Sequence, residues 1–165
     1  MKHALPLLLC FMLLTGCGIS AGQSFEHPCF TATVPEPFQT CGDVGAALCF
    51  APYGDPLLSS SITFFTTEKN WYFDRFSDDE YTSFLKTLCG YESLKLIGVE
   101  DCKVDHTKAK RIHCTVQIDQ GTHDLVIYAI DSDQTVFFTL LNREGDSYID
   151  VFDSMMKTVR LKEAK

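Results

Sequence analysis

Apolar and polar positions change rhythm several times along the chain, and each change predicts an element. Leu5 to Leu14 is an apolar run interrupted by Pro6 and Cys10 and preceded by basic Lys2. That is the length of a secretory leader and short of the about 20 residues a bilayer-spanning helix needs. Gly18 to Ser24 is small and polar, a composition suited to a flexible tether. From Cys29 the chain becomes rich in strand formers. Cys29–Val34 reads as an opening strand ended by Pro35-Glu36-Pro37. Ala47–Ala51 is a second apolar run, and Ser61–Thr66 is a third strand.

The period then switches. Tyr81, Phe84, Leu85 and Leu88 lie at i, i+3, i+4 and i+7, which is one face of a helix. Ser77-Asp78-Asp79-Glu80 ahead of it is a capping box with negative charge at the helix's positive end, and Gly90 is a stop. Four strands with short turns follow, over Leu94–Lys103, Lys110–Asp119, His123–Ile130 and Thr135–Asn142. In the second, Ile112, Cys114, Val116 and Ile118 share one face and Arg111, His113, Thr115 and Gln117 the other. The third and fourth are apolar on both faces, as central strands are. A last helix is expected from a cap near Asp146-Ser147, with Ile149, Phe152, Met156 and Val159 along one face. Basic Lys157, Arg160 and Lys162 are expected at its C-terminal end. The predicted fold is α+β, an antiparallel β-sheet flanked by helices in a single domain.

Leu13-Leu14-Thr15-Gly16-Cys17 closes the leader and reads as a bacterial lipobox, in which the chain is cut before Cys17 and acyl chains are attached there. The competing reading is an ordinary signal peptide with a coincidental cysteine. The expected organisation is a signal peptide over 1–16, a lipidated tether over 17–28 and the folded domain over 29–165. Losing Lys2 with the leader takes the formal charge from −8 to −9. Such a surface argues against nucleic acid as a partner.

Eight cysteines are encoded; Cys10 leaves with the leader and Cys17 takes lipid. The remaining Cys29, Cys41, Cys49, Cys89, Cys102 and Cys114 read as three disulfides in an exported domain. Cys41 and Cys49 flank a glycine-containing turn. A hairpin centred on Lys108 would set Cys102 opposite Cys114, which leaves Cys29 for Cys89. No CxxC or HxxxH supports zinc, and nothing marks a catalytic thiol.

His3, His27, His106, His113 and His123 are scattered, no serine sits in a G-x-S-x-G elbow, and Asp131-Ser132-Asp133 lacks the rest of a calcium loop. Glu100-Asp101 with Asp105-His106 would hold a cation if folded together; solvated charge is the simpler account. No cofactor and no metal are expected, and a non-catalytic binding role is favoured over an enzyme. Asn70–Phe76 carries Trp71, Tyr72, Phe73, Arg75 and Phe76, either a binding surface or a loop pinned by buried rings.

The order of elements resembles the PsbP-like superfamily, which includes the extrinsic oxygen-evolving subunit of photosystem II, a Ran-binding nuclear import factor and bacterial lipoproteins of the DcrB type. The resembling parts are Phe30 to Phe38, the helix Asp78 to Leu88, Ala109-Lys110-Arg111-Ile112, Thr135 to Leu140 and Tyr148 to Met156. The resemblance implies an antiparallel sheet between helices, used as a binding scaffold. The readings taken forward are a membrane-anchored envelope lipoprotein that binds a protein partner, and a small-ligand carrier with its pocket between sheet and helix.

Overall fold

A computed structural model describes residues 22–44, 47–56, 59–69 and 72–162. Among these, the strands are β1 (Gln23–His27), β2 (Phe30–Val34), β3 (Phe38–Val44), β4 (Ala47–Pro52), β5 (Ser61–Thr67), β6 (Lys95–Val104), β7 (Thr107–Ile118), β8 (Gly121–Asp131), β9 (Thr135–Asn142) and β10 (Arg160–Leu161). The helices are α1 (Asp78–Cys89) and α2 (Ile149–Met156), with a 3-10 turn at Phe73–Arg75.

The main sheet has seven strands in the order β3-β4-β5-β9-β8-β7-β6, paired antiparallel throughout. Two meanders build it, and β9 closes the second by pairing with β5 of the first. The chain passes from β5 to the far edge strand β6, and α1 lies on this connection. Its buried Tyr81 and Leu85 pack on Ile112, Cys114 and Val116 of β7, Leu125, Ile127 and Ala129 of β8, and Phe137 of β9. The opposite face is covered by α2 and by a small sheet, β1-β2-β10. Phe30, Ala32 and Val34 of β2 and Phe152, Met155 and Met156 of α2 form the core there with Ile62, Phe64, Phe138 and Leu140.

The local signals around α1 are realised. Ser77 is the N-cap, its hydroxyl accepts from the Glu80 N–H at 3.4 Å, and the Glu80 carboxylate accepts from the Ser77 N–H at 2.7 Å. Gly90 ends the helix at φ 74°, in the left-handed region. The hydrogen bonds from the Ser77 backbone and side chain hold the Glu80 carboxyl below its usual range. A depressed folded-state pKa contributes stability above the unfolded glutamate pKa and loses it as pH falls through the folded one. Amide protection in the first turn of α1 is therefore expected to fall on acidification through that window. Glu80→Gln is expected to flatten the dependence, and an identical pH profile in that variant would contradict the assignment.

Several elements depart from expectation. β1 begins at Gln23, inside the stretch assigned to the tether, because Gln23–His27 pairs with β2 in register and Phe25 packs edge-on against Phe50 at 4.9 Å. The β6–β7 hairpin turns at Asp105-His106, not at Lys108. Both residues have positive φ, 48° and 66°, which a two-residue turn matching strand twist requires, and Val104 pairs with Thr107. α2 starts after Tyr148 without a side-chain cap and stops at Met156. Arg160, expected in the helix, lies in β10, and Lys162 follows that strand. Pairing of Arg160 with Thr31 and Leu161 with Phe30 takes those residues away from the helix.

Edge strand β6 carries Lys95, Glu100, Asp101 and Lys103 and has a bulge between Leu96 and Gly98. Charge and a bulge are how sheets discourage edge-to-edge pairing, so this edge is poorly suited to adding a partner strand.

Candidate functional site: the groove beside helix α1

The width of the sheet creates the site. Seven strands span about 29 Å at roughly 4.8 Å spacing, whereas one helix with its side chains is about 10–12 Å across. α1 therefore leaves part of its face of the sheet uncovered, and a groove runs there past Leu88.

At one end a cavity of about 380 Å³ is lined by Phe65, Leu88, Leu125 and Leu141 together with the hydroxyls of Ser61, Thr63, Thr139 and Tyr91. At the other end a cavity of about 360 Å³ is lined by Phe84, Leu88 and Phe137 with Thr67, Lys69 and Tyr72 at its mouth. Leu88 belongs to both walls. The stacked rings of Phe65 and Phe137, 5.0 Å apart, lie one in each cavity. Thr63 and Thr139 hydrogen-bond to each other on the floor. Burial lifts the Tyr91 phenol above its usual range, so it stays protonated near neutrality. Each cavity is at the small end of the about 300–1,000 Å³ typical of ligand sites, and the lining joins apolar walls to a few hydroxyls. Nothing in this set is an activated nucleophile or a general base, and the arrangement is suited to binding.

Among the described residues of the aromatic segment, the rings do not form one exposed surface. Phe73 is 2% exposed and packs against Phe84 and Tyr81, while Tyr72 is 55% exposed and Arg75 is exposed. Trp71 lies outside the described residues, as does Cys17. An ion-pair cluster pins the segment: Asp74 contacts Lys108 and lies 3.2 Å from Lys110, and Lys110 is 2.7 Å from Asp101. Asp101, and then Asp74, hold the Lys110 ammonium above its usual range against the opposing effect of burial. Phe73 is thus a core residue, and Tyr72 contributes to the groove mouth.

The described histidines do not converge. His27 stacks on Phe30 at 5.2 Å, and His113 hydrogen-bonds Asp124 at 2.8 Å. His106 occupies the turn. His123 is buried at the start of β8. Its Nδ1 accepts from the Glu144 N–H at 2.8 Å, which leaves Nε2 to donate to the Ile118 carbonyl at 3.3 Å. Asp105 accepts from the Leu161 N–H and Asp101 is paired with Lys110, so the two acids are engaged with different partners. Among the described residues no three His, Cys, Asp or Glu side chains are grouped to hold a metal, and no helix is long and apolar enough to cross a membrane.

Two of the expected cysteine pairings are corrected. Cys102 is opposite Ala109 and borders the core under α2, while Cys114 is opposite Leu96 and belongs to the core under α1. The sheet separates them. It also separates Cys29, on the α2 side, from Cys89, on the α1 side. All six carry free thiols in this structure.

A pocket between sheet and helix is expected, but its lining is not legible in the sequence because it is drawn from residues between Ala47 and Leu141, on strands that become neighbours only through the β5–β9 pairing. No family model and no curated protein sequence matches the chain. Solved structures do match its fold. The chain is similar to the cyanobacterial PsbP of Synechocystis sp. PCC 6803, at TM-score 0.60 and 14% identity over 89% of this chain and 96% of that one. The fold is PsbP-like. A second similar structure is LpqN of Mycobacterium tuberculosis, a protein involved in cell envelope biogenesis, at TM-score 0.57 and 9% identity over 86% of each chain. A third, from Bacteroides thetaiotaomicron VPI-5482, matches at TM-score 0.57 and 11% identity. It covers 87% of this chain, which spans about half, 49%, of the length of that one. At such identities the likeness is one of fold, and function has to be argued from the site.

Proposed function

We propose that this chain is a lipid-anchored, non-catalytic binding domain of the bacterial cell envelope. Cys17 carries the acyl anchor, and the groove beside α1 holds a small amphipathic ligand. The lining carries this reading: Phe65, Leu88, Phe137 and Leu141 offer an apolar wall, and Ser61, Thr63 and Thr139 offer hydroxyls to a polar group. Burial of Phe73 takes the central ring away from the alternative, a protein partner docked on the aromatic segment. That second reading keeps exposed Tyr72 and Arg75 beside the groove mouth.

Leu88→Trp tests the groove, since this residue is half-buried and touches both cavities. With the apolar fluorophore 1-aminoanthracene as probe, saturable binding to the wild-type domain is expected, weakened at least about tenfold by Leu88→Trp, equivalent to about 1.4 kcal/mol. Thr87→Trp, on the exposed side of α1, is the control and is expected to bind as wild type. Equal binding by both variants would overturn the groove. Cys17→Ser is expected to release the protein from membranes, and persistent detergent-dependent fractionation would overturn the anchor.

A further inference from the structure

Strand register sorts the six thiols of the mature chain by position. Cys41 is the extra residue of a bulge in β3: Thr40 pairs with Phe50 and Gly42 with Cys49, which sets Cys41 beside Cys49. Their side chains are within hydrogen-bond reach of each other. Cys89 ends α1, and Cys114 lies in the β7 row that α1 covers. Cys89 lines the groove with Leu125, the cross-strand partner of Cys114, and the two thiols are close enough to interact electrostatically. The remaining two share the opposite layer. The Cys29 carbonyl accepts from the Lys162 N–H at 2.9 Å, and neighbouring Leu161 donates to Asp105, three residues after Cys102.

We infer that Cys41–Cys49 and Cys89–Cys114 are disulfides of the exported protein, with Cys29 and Cys102 left as the third pair; this rests on the export reading of the leader. Each bond forms from two thiols, which lose two protons and two electrons. The electrons reduce the disulfide of a thiol oxidant, either an oxidoreductase or glutathione disulfide, to two thiols. Burial pushes the Cys49 and Cys114 thiols up to about 12 and the Cys89 thiol up to about 11. The thiolate is the attacking species, so these three thiols exchange slowly once the core has closed. Cys89–Cys114 then ties the end of α1 to the central sheet at one end of the groove.

Non-reducing peptide mapping separates the pairings. Trypsin releases Thr87–Lys95, Leu96–Lys103 and Ile112–Arg143 as distinct peptides bearing Cys89, Cys102 and Cys114, and cleavage after Phe38 and before Asp43 sets Cys29, Cys41 and Cys49 on separate peptides. Two samples are mapped after alkylation of free thiols: protein taken from envelopes, and the same chain reduced, unfolded and refolded in a glutathione redox buffer. The expected links in both are Cys41–Cys49 and Cys89–Cys114. A Cys102–Cys114 or Cys29–Cys89 link, or free Cys89 and Cys114 in both samples, would overturn the assignment. The expected links after refolding with free thiols in the envelope sample would uphold the pairing and overturn export into an oxidising space.

Discussion

Phe30→Ala is expected to destabilise the domain by about 3–5 kcal/mol, the range for truncating a fully buried aromatic. Phe30 is 0% exposed and joins the small sheet to the main one. Its ring meets Phe64 at 4.6 Å and Phe138 edge-on at 4.9 Å, and its strand holds β1 on one side and β10 on the other. Removing the ring opens a cavity between two sheets whose backbones are fixed by their own ladders, so collapse cannot fill it. Urea unfolding measures the loss as a lower midpoint at unchanged slope. Ile97→Ala, at a residue 59% exposed in the bulge of β6, is the control and is expected to change stability by no more than about 0.5 kcal/mol. A Phe30→Ala loss below about 1 kcal/mol would mean that the small sheet is not part of the cooperative core.

Asp153→Ala is expected to cost about 2–3 kcal/mol, because it strands two partners at once. Arg111 Nε and Nη2 donate to the two oxygens of Asp153 at 3.1 and 2.9 Å, and the Tyr128 hydroxyl donates to one of them at 2.9 Å. The side chains of Arg111 and Asp153 are 18% and 26% exposed, which places the pair between a screened surface bridge and a buried one. Hydrogen bonding to Asp153 holds the Arg111 guanidinium above its already high range, while burial, and then Asp153, push the Tyr128 phenol up. Both groups therefore stay protonated as donors across ordinary pH. Asp153 is on α2 and Arg111 on β7, so this bidentate contact fixes the helix on the sheet. Tyr128→Phe removes one donor and is expected to cost about 1 kcal/mol. The two variants measured by denaturant unfolding distinguish this geometry: an Asp153→Ala cost no greater than that of Tyr128→Phe would contradict the role given to Arg111.

The parts of the fold legible in the sequence are those fixed by local chemistry. The Ser77–Glu80 box and Gly90 bounded α1 because capping bonds span three or four residues. Alternation in β7 separated Arg111 and His113 from Ile112 and Cys114, and the two-sided apolar runs of β8 and β9 marked the centre of the sheet. What escaped depends on partners distant in the chain. β1 is a polar stretch made a strand by β2, and β10 is two residues pairing with a strand over 120 positions earlier. The Asp105-His106 turn lacks the glycine that ordinarily announces positive φ, and this displaced the expected register and with it the cysteine pairing. Of the candidate site, Tyr72 was visible as one member of an aromatic cluster, but the hydroxyl floor of Ser61, Thr63 and Thr139 was hidden in two ordinary strands.

Occupancy of the groove in its native setting is the most direct test of a tethered binding domain. The measurement is native mass spectrometry of wild type, Leu88→Trp and Thr87→Trp, each purified from envelopes in lipid particles without detergent. A small bound species on wild type and Thr87→Trp that is missing from Leu88→Trp is the predicted result. The same bound species on all three proteins, or none on any of them, would contradict the groove as the site of binding.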